Sequence, residues 1–404
     1  MAYDFTTMYR RMDSTSVSGV GSGKWDVLEK LGYADDPDVV PFSVADMEFV
    51  VPPEIRDSIT EHLDHYNLGY CHVTAGYKDS VCRWMKERRG WEARPEWIVP
   101  THGCVDAFFT AVKTLTAPGD GVMLMTPVYY PMYKSIYRNG RVLVETKLVR
   151  QEDKGTYDID WEDFEAKAQQ PNTRLLILCS PHNPVSRVWT RQELERISEI
   201  CLKNQIFVVS DEIHHDLIMP GHQHTVFASL SKEAEQNCMV LTAASKTFNL
   251  AGLETSNIFI PDPKVRQAFT DELLTNCSYA RCGILGWVAT KAAYDRCGAW
   301  LDECIQVIDI NRRLVTDFLA KEFPQIKVYD LQATYLLWMD WRGLGLDYKE
   351  LERINQHEAG LIFDEGYVFG EAGEGFERWD LAVPTEYVQK GLERMKKAYA
   401  PYLN

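Results

Sequence analysis

The sequence has no long hydrophobic run, no excess of basic residues and no internal repeat. Its apolar stretches fall far short of the roughly 20 residues that cross a bilayer as a helix. The 43 lysines and arginines are outnumbered by 59 aspartates and glutamates, which gives a formal net charge of −16. An acidic surface argues against nucleic acid or an anionic membrane as a partner. We therefore predict neither kind of partner.

Cysteine pairs with metal-binding spacing are also missing. The ten cysteines are scattered from Cys71 to Cys304, and no Cys-x-x-Cys pair occurs. The closest pair is Cys277 and Cys282, and no histidine and cysteine cluster completes it as a zinc site. Scattered thiols are typical of a reducing compartment, and the stretch MAYDFTTMYRRMDSTS lacks the apolar core of a signal peptide. We expect a cytoplasmic protein without a metal ion.

The chain of 404 residues, 45% hydrophobic and 25% charged, is typical of a folded globular protein that is too long for one core. From about Pro100 onward, short apolar runs alternate with amphipathic helical patterns such as RQELERISEICLKN. Several runs, such as VMLM and LLILC, are apolar throughout, as expected for strands covered on both faces. This alternation predicts an α/β fold with a largely parallel sheet.

The pattern changes after about Leu285, where long helical stretches precede short strands such as ATYLLWMDW. This order indicates a second, smaller α+β unit. The first forty-odd residues are irregular and rich in glycine and serine, which is not typical of a central sheet. We therefore predict a large domain of residues 46–285 and a small domain of residues 1–45 and 286–404.

Polar and aromatic residues follow four of the apolar runs within a few residues. The carboxyl ends of parallel strands meet at one edge of a sheet, where ligands bind. Each residue alone has an ordinary explanation, such as a turn or an exposed lysine, and it is their coincidence at one edge that favours a site. The residues are Tyr129 and Tyr130 after VMLM, Asn183 after LLILC, Asp211 and His214 after IFVV, and Ser245 and Lys246 after MVLTAA.

An amine, a carboxylate, an amide and an aromatic plate around one point are the groups that pyridoxal 5′-phosphate requires. The lysine forms a Schiff base with the aldehyde, and the carboxylate keeps the pyridine nitrogen protonated so that the ring accepts electrons. An amide binds the phenolic oxygen, and an aromatic side chain stacks on the ring. Gly103 lies between the strand-like WIVP and the helical VDAFFTAVKTL, where free backbone N–H groups bind phosphate. The sequence therefore predicts this cofactor.

Three segments, SPHNPVSRVW, SDEIHHDL and SKTFNLAGL, together resemble the class I/II aminotransferase superfamily of pyridoxal phosphate fold type I. Three further segments, KWD, PFSVADMEFVVPPEI and TPVYYPMY, resemble its MalY/PatB branch of cystathionine β-lyases, or C–S lyases. The resemblance spans nearly the whole chain. It implies a mostly parallel central sheet in a large domain, a smaller α+β domain, and a homodimer with shared active sites.

The resemblance also implies a role for individual residues. Lys246 carries the cofactor and shuttles the Cα proton, and Tyr70 reaches the phosphate of the neighbouring subunit's cofactor. Arg378 binds the substrate α-carboxylate through two parallel hydrogen bonds, although a surface salt bridge with Glu377 or Asp380 is the alternative. The remaining implied contacts are Asp211 with the pyridinium nitrogen, Asn183 and His214 near the ring O3′, Tyr129 on the ring face, Gly103, Cys104, Val105 and Ser245 with the phosphate, and Trp25, Tyr130 and Asn183 with the substrate.

Three positions depart from the broader superfamily. Glu254 stands where an arginine usually binds the phosphate, and His214 stands where many aminotransferases have a tyrosine; both departures are typical of the lyase branch. Ser186 occupies the glycine position of the Asn-Pro-x-Gly-Arg motif. A serine there adds strain of about 1–2 kcal/mol if its φ angle is positive.

The function that we predict is α,β-elimination from L-cystathionine or a related cysteine S-conjugate, which gives a thiol such as homocysteine, pyruvate and ammonia. An aminotransferase for aromatic or neutral amino acids is the alternative, because relative rates decide the fate of the shared carbanion. A dicarboxylate substrate is disfavoured, since no second substrate-binding arginine is identified. A regulatory partner of a transcription activator is a further alternative.

Overall fold

The structure of the chain is a computed structural model that describes residues 1–9, 21–276 and 282–402. Cys277 of the closest cysteine pair lies outside the described residues. The strands of the described part are β1 Ile98–Thr101, β2 Gly121–Thr126, β3 Val142–Lys147, β4 Val149–Gln151, β5 Thr156–Asp158, β6 Thr173–Cys179, β7 Phe207–Asp211, β8 Cys238–Thr242, β9 Ser256–Phe259, β10 Lys327–Val328, β11 Leu336–Asp340, β12 Asp364–Glu365 and β13 Phe376–Asp380.

A seven-stranded sheet with the order β1-β9-β8-β7-β6-β2-β3 forms the centre of the fold. The strands from β8 to β3 in that order are parallel to their neighbours. Strand β9 runs antiparallel to both β8 and β1. The mostly parallel α/β sheet predicted from the alternation of strands and helices is confirmed.

The apolar runs of the sequence become strands that are buried on both faces. All six residues of β2 are buried, and their side chains point alternately to opposite faces. Val122 and Leu124 join one hydrophobic core together with Phe108, whereas Met123 and Met125 join another. Two cores on opposite faces explain why these strands show no alternation of polar and apolar residues.

Helices cover both faces of the sheet. A capping box is present before Arg191, where the Thr190 side chain accepts from the Glu193 backbone and the Glu193 side chain accepts from the Thr190 backbone. Across the described residues, none of the helices combines the length and the apolar composition that a membrane crossing requires. The helices are α1 Val27–Leu31, α2 Pro53–His65, α3 Ala75–Arg89, α4 Cys104–Leu115, α5 Tyr130–Arg138, α6 Trp161–Ala168, α7 Arg191–Lys203, α8 Lys232–Gln236, α9 Ala244–Thr247, α10 Pro263–Asn276, α11 Ile284–Arg296, α12 Gly298–Glu322, α13 Tyr348–Arg353 and α14 Thr385–Tyr399.

A second, four-stranded antiparallel sheet follows in the C-terminal part, with the order β10-β11-β13-β12. The long helix α12 packs against α14 beside it. Long helices followed by a small sheet are the arrangement that the sequence indicates after Leu285. The division into residues 46–285 and residues 1–45 with 286–404 stays a prediction.

A buried lysine joins the N-terminal segment to this second sheet. Lys24 is 3% exposed, and its Nζ donates to the Asp46 carbonyl at 2.6 Å and to the Asp380 carboxylate at 3.1 Å. The Glu48 carboxylate lies 3.1 Å from the same Nζ and also accepts from the Trp25 indole. Burial alone would lower the pKa of Lys24, but the two carboxylates outweigh it and raise the pKa above the ordinary value. Lys24 of the KWD segment is therefore held by charge inside the protein.

Removal of this cation should destabilise the fold. Lys24→Met leaves two buried carboxylates without their partner, so we expect a loss of about 3–5 kcal/mol of stability. The measurement is the midpoint of denaturant unfolding. Lys30→Met is the matched control, since Lys30 lies exposed on the neighbouring helix α1. Equal midpoints for the two variants would contradict a structural role of the Lys24 ion pairs.

Candidate active site

A cavity of about 320 Å³ lies at the carboxyl ends of the parallel strands, a volume within the range of small-molecule sites. Every site residue in the predicted cofactor and substrate set except Tyr70 and Trp25 lines it. These lining residues are Gly103, Cys104, Val105, Tyr129, Tyr130, Asn183, Asp211, His214, Ser245, Lys246 and Arg378.

Backbone hydrogen bonds hold the strand ends around the cavity together. The Tyr129 amide after β2 donates to the Asn183 carbonyl after β6 at 3.1 Å, and the Ser180 amide donates to the Asp211 carbonyl at 2.9 Å. Lys246 lies in the short helix α9 that follows β8 directly. Sheet topology therefore brings residues that are far apart in sequence to one edge.

The N-terminus of helix α4 opens onto the cavity. Gly103 precedes the helix with φ 140° and without a side-chain cap, and an added Cβ there would meet no atom within 4 Å. The first backbone N–H groups of a helix have no acceptor within the helix, and the helix dipole adds partial positive charge. This end of the cavity is suited to bind an anion such as a phosphate.

Lys246 presents its amine to the same cavity. Its Nζ donates to the Ala45 carbonyl at 2.7 Å and lies 3.6 Å from the Asp46 carboxylate. Burial lowers the pKa of Lys246, the Asp46 carboxylate raises it, and the Arg378 charge lowers it further, so that the net pKa lies below the ordinary value. A lowered pKa makes the neutral, nucleophilic amine more available.

Asp211 is a buried carboxylate at the end of β7. It is 4% exposed, and the Ile213 amide donates to it at 3.3 Å. Burial raises the pKa of Asp211 from 3.8 to about 7. A cation placed beside this carboxylate would favour its ionised form. A pyridinium nitrogen is such a cation, so the residue fits the predicted cofactor.

His214 offers a second buried polar group. Burial lowers the pKa of His214 to about 3, with further contributions from Lys246 and Arg378. The imidazole is therefore neutral, and its Nδ1 is buried without a hydrogen-bond partner among the described residues. Since buried polar atoms are normally paired, this nitrogen is suited to a polar group of a bound molecule.

Arg378 is 4% exposed and faces the cavity from β13. Its Nη1 donates to the Asn183 side chain at 2.8 Å, while Nε and Nη2 donate to one oxygen of Asp364 at 3.1 and 2.5 Å. Its guanidinium lies 4.6 Å from the ring centre of Phe369. Within the described residues its carboxylate partner is Asp364, and not Glu377 or Asp380 as the alternative from the sequence would have it.

Tyr70 is the predicted phosphate contact that the structure leaves outside the cavity. The residue is 99% exposed in the single chain. Its predicted role concerns the cofactor of a neighbouring subunit, so a position on the surface is compatible with that role.

Among the lining residues that sequence reasoning missed, three carry polar side chains: His102, Thr255 and Asp364. His102 directly precedes Gly103, so the position of the phosphate loop could have indicated it. Asp364 lies on the two-residue strand β12, and a strand this short leaves no periodic signal.

The structure shows the backbone conformation of two residues that depart from the superfamily pattern. Glu254 lines the cavity with a left-handed backbone at φ 45°. Ser186 has φ 57°, so the condition for the expected strain of about 1–2 kcal/mol is met. Its hydroxyl donates to the Leu336 carbonyl at 2.5 Å, a contact that glycine could not make.

The chain belongs to the aminotransferase class I and II family, whose model matches residues 37–395. It is 40% identical to cystathionine β-lyase PatB of Bacillus subtilis over 94% of this chain and 97% of that protein. Among solved structures it is similar to cystalysin of Treponema denticola, which contains a pyridoxal 5′-phosphate cofactor, with 44% identity, a TM-score of 0.94 and coverage of 99% of this chain and 100% of that chain. It is also similar to a C–S lyase of Staphylococcus hominis bound to L-cycloserine, with 29% identity, a TM-score of 0.87 and complete coverage, 100% of both chains.

The raised pKa of Asp211 predicts a pH-dependent stability of the cofactor-free protein. Between its ordinary pKa of 3.8 and about 7, folded Asp211 keeps a proton that the unfolded chain has released, so stability falls as pH rises through this window. Asp211→Asn should remove the effect, and the variant should be more stable than the unchanged protein at pH 8 by as much as about 4 kcal/mol.

The measurement is the unfolding midpoint of the cofactor-free proteins from pH 4 to pH 8. Asp153→Asn, at an exposed position, is the control and should follow the unchanged protein throughout. A constant difference between Asp211→Asn and the unchanged protein across this range would contradict the assignment.

Proposed function

We propose that the chain is a pyridoxal 5′-phosphate-dependent C–S β-lyase. It cleaves L-cystathionine or related cysteine S-conjugates to a thiol such as homocysteine, pyruvate and ammonia. One observation carries the proposal: a single cavity joins the amine of Lys246, the buried carboxylate of Asp211 and the guanidinium of Arg378. The 40% identity to a cystathionine β-lyase supports the choice of reaction.

The cavity has a group for each part of the cofactor. The N-terminus of α4 and Ser245 would hold the phosphate, and Tyr129 would pack against the ring. Asp211 would pair with the ring nitrogen, while Asn183 and His214 would bind the phenolic oxygen of the ring. When bound, the cofactor supplies an electrophilic carbonyl carbon and a ring that accepts the electrons released at the substrate Cα.

The residues of the chain divide the remaining work. Arg378 binds the α-carboxylate and so orients the amino acid. The Nζ of Lys246, with its lowered pKa, takes the proton from the substrate Cα as a general base. Asp211 supplies the negative charge that favours a protonated ring nitrogen. The sulfur then leaves from Cβ as a thiolate, which is a better leaving group than an alkoxide because a thiol is the stronger acid.

Two features favour a lyase over a transaminase for dicarboxylates. Arg378 is the one arginine among the described residues that line the cavity, so a second carboxylate has no matching partner there. Glu254 also lines the cavity, where the broader superfamily has a phosphate-binding arginine. An aminotransferase for aromatic or neutral amino acids is the competing outcome of the assay below.

The purified holoenzyme should release pyruvate and a thiol from L-cystathionine without any added keto acid. Lys246→Ala should reduce turnover by about 10³-fold or more, because both the covalent attachment and the base are lost. Lys264→Ala, at an exposed position, is the control and should retain full activity. Turnover that depends on a keto acid would identify an aminotransferase instead.

Borohydride reduction and peptide mapping test the attachment separately. The reduced cofactor should be found attached to Lys246, and its attachment to another lysine would contradict the site.

We further propose a homodimer in which Tyr70 completes the partner's site. Four large apolar side chains are exposed within eight residues at the end of α2 and beyond: Leu63 at 50%, Tyr66 at 63%, Leu68 at 63% and Tyr70 at 99%. Monomeric proteins rarely expose such a concentrated apolar patch. A second copy of the chain would cover it.

A purified heterodimer tests the shared site. A Lys246→Ala chain paired with a Tyr70→Ala chain contains one intact site, because the second chain supplies the lysine and the first supplies the tyrosine. We expect about half of the unchanged activity, since one of the two sites of a symmetric dimer is intact. An unchanged chain paired with a doubly substituted chain should be nearly inactive. The reverse result would show that Tyr70 acts within its own chain.

The cytoplasm is the proposed compartment. The nine cysteines in the described ranges are all free thiols, which is typical of a reducing environment.

A further inference from the structure

Asp364 occupies an unusual place beside the predicted carboxylate-binding arginine. It lies directly opposite Arg378 in the pairing of β12 with β13. One of its oxygens accepts from Nε and Nη2 of Arg378 and from the Val44 amide at 3.0 Å. The side chains of Asp364 and Arg378 are 19% and 5% exposed. Arg378 is thus a buried cation that already has a counter-ion within the chain.

The guanidinium keeps two hydrogen-bond donors for a ligand. Of its five N–H groups, two are directed to Asp364 and one to Asn183. Within the part of the chain that the structure describes, one N–H on each terminal nitrogen is left, which is the number that a bidentate carboxylate takes. A substrate carboxylate would therefore bind in addition to Asp364 and would not replace it.

We propose that Asp364 is the internal counter-ion of Arg378 and limits the affinity of the site for carboxylates. The inference rests on the proposed lyase function. A buried cation without a partner binds anions strongly, because binding relieves its uncompensated charge. With Asp364 in place, a carboxylate binds to an arginine whose positive charge is already balanced by a counter-ion. The negative charge of Asp364 also repels the carboxylate.

The consequence concerns the difference between substrate and product. An amino acid is held at its carboxylate by Arg378 and at its amine through the Lys246 site. Pyruvate carries the carboxylate but no amine, so only the Arg378 contact retains it. Asp364 weakens that contact, so the keto acid is released readily, whereas the amino acid keeps its second attachment.

The position of the guanidinium should survive the loss of the Asp364 charge. Asn183 holds Nη1, and the Phe369 ring lies 4.6 Å from the guanidinium carbon. Asp364→Asn keeps an oxygen that can accept from the Val44 amide and removes the charge. Asp364→Ser offers a second neutral variant with an oxygen acceptor.

Binding of sodium propionate to the holoenzyme tests the proposal, because propionate has a carboxylate and no amine. Calorimetric titration at constant ionic strength should give a Kd that is about tenfold lower for Asp364→Asn than for the unchanged enzyme, as expected when a nearby like charge is removed. Asp364→Ser should also lower the Kd for propionate. Damage to the structure would weaken binding, so tighter binding separates the two explanations.

Two controls define the origin of the effect. Glu365→Gln removes an acid from the adjacent position, whose side chain accepts from Gln356, and should leave the Kd unchanged. Arg378→Ala should abolish measurable propionate binding, and adding Asp364→Asn should not restore the affinity of the Asp364→Asn single variant. Pyruvate should also inhibit the Asp364 variants more strongly.

Unchanged or weaker propionate binding in both neutral variants would overturn the proposal. This outcome is independent of the reaction type, since the lyase function is judged by pyruvate release from L-cystathionine in the unchanged enzyme.

Discussion

The hydrogen bonds that fix the peptide segment 44–48 are the constraint on which the cavity depends. One carbonyl of this segment accepts from both the Lys246 amine and the Tyr335 hydroxyl at 2.7 Å. The next carbonyl accepts from buried Lys24, and Asn249 both donates to and accepts from the backbone further along. A segment without regular secondary structure is thereby fixed by side-chain hydrogen bonds, and it places an acceptor beside the reactive amine.

The two ends of the cavity share one electrostatic feature, a carboxylate beside a site for positive charge. Asp211 and Asp364 are both acids at strand ends or edges, and each stands beside a place for positive charge. The first would serve a bound ring nitrogen, and the second serves Arg378 permanently. Buried charge pairs are screened by salt much less than exposed ones, so these pairings depend little on ionic strength.

The sequence was sufficient for those parts of the site that follow buried strands. Asn183, Asp211 and Lys246 each come within four residues of the end of an apolar run, and parallel topology determines where such residues meet. Asp364 could not be predicted in this way, because its strand has two residues and its partner is defined only by pairing across the small sheet. The contact of Lys24 with a carboxylate 356 residues away likewise depends on tertiary packing, which no local pattern encodes.

Ser186, with its positive φ angle, links the loop after β6 to the small sheet. Its hydroxyl is bound to a carbonyl of β11 in the small sheet, and it lies three residues after Asn183 at the end of β6. A glycine would relax the backbone but remove this hydrogen bond to β11, and the bond from Arg378 of β13 to Asn183 would remain. With serine, the loop that carries the Asn183 amide is bound to β11 through Ser186 and to β13 through Arg378, so the residues for the ring and for the carboxylate share one support.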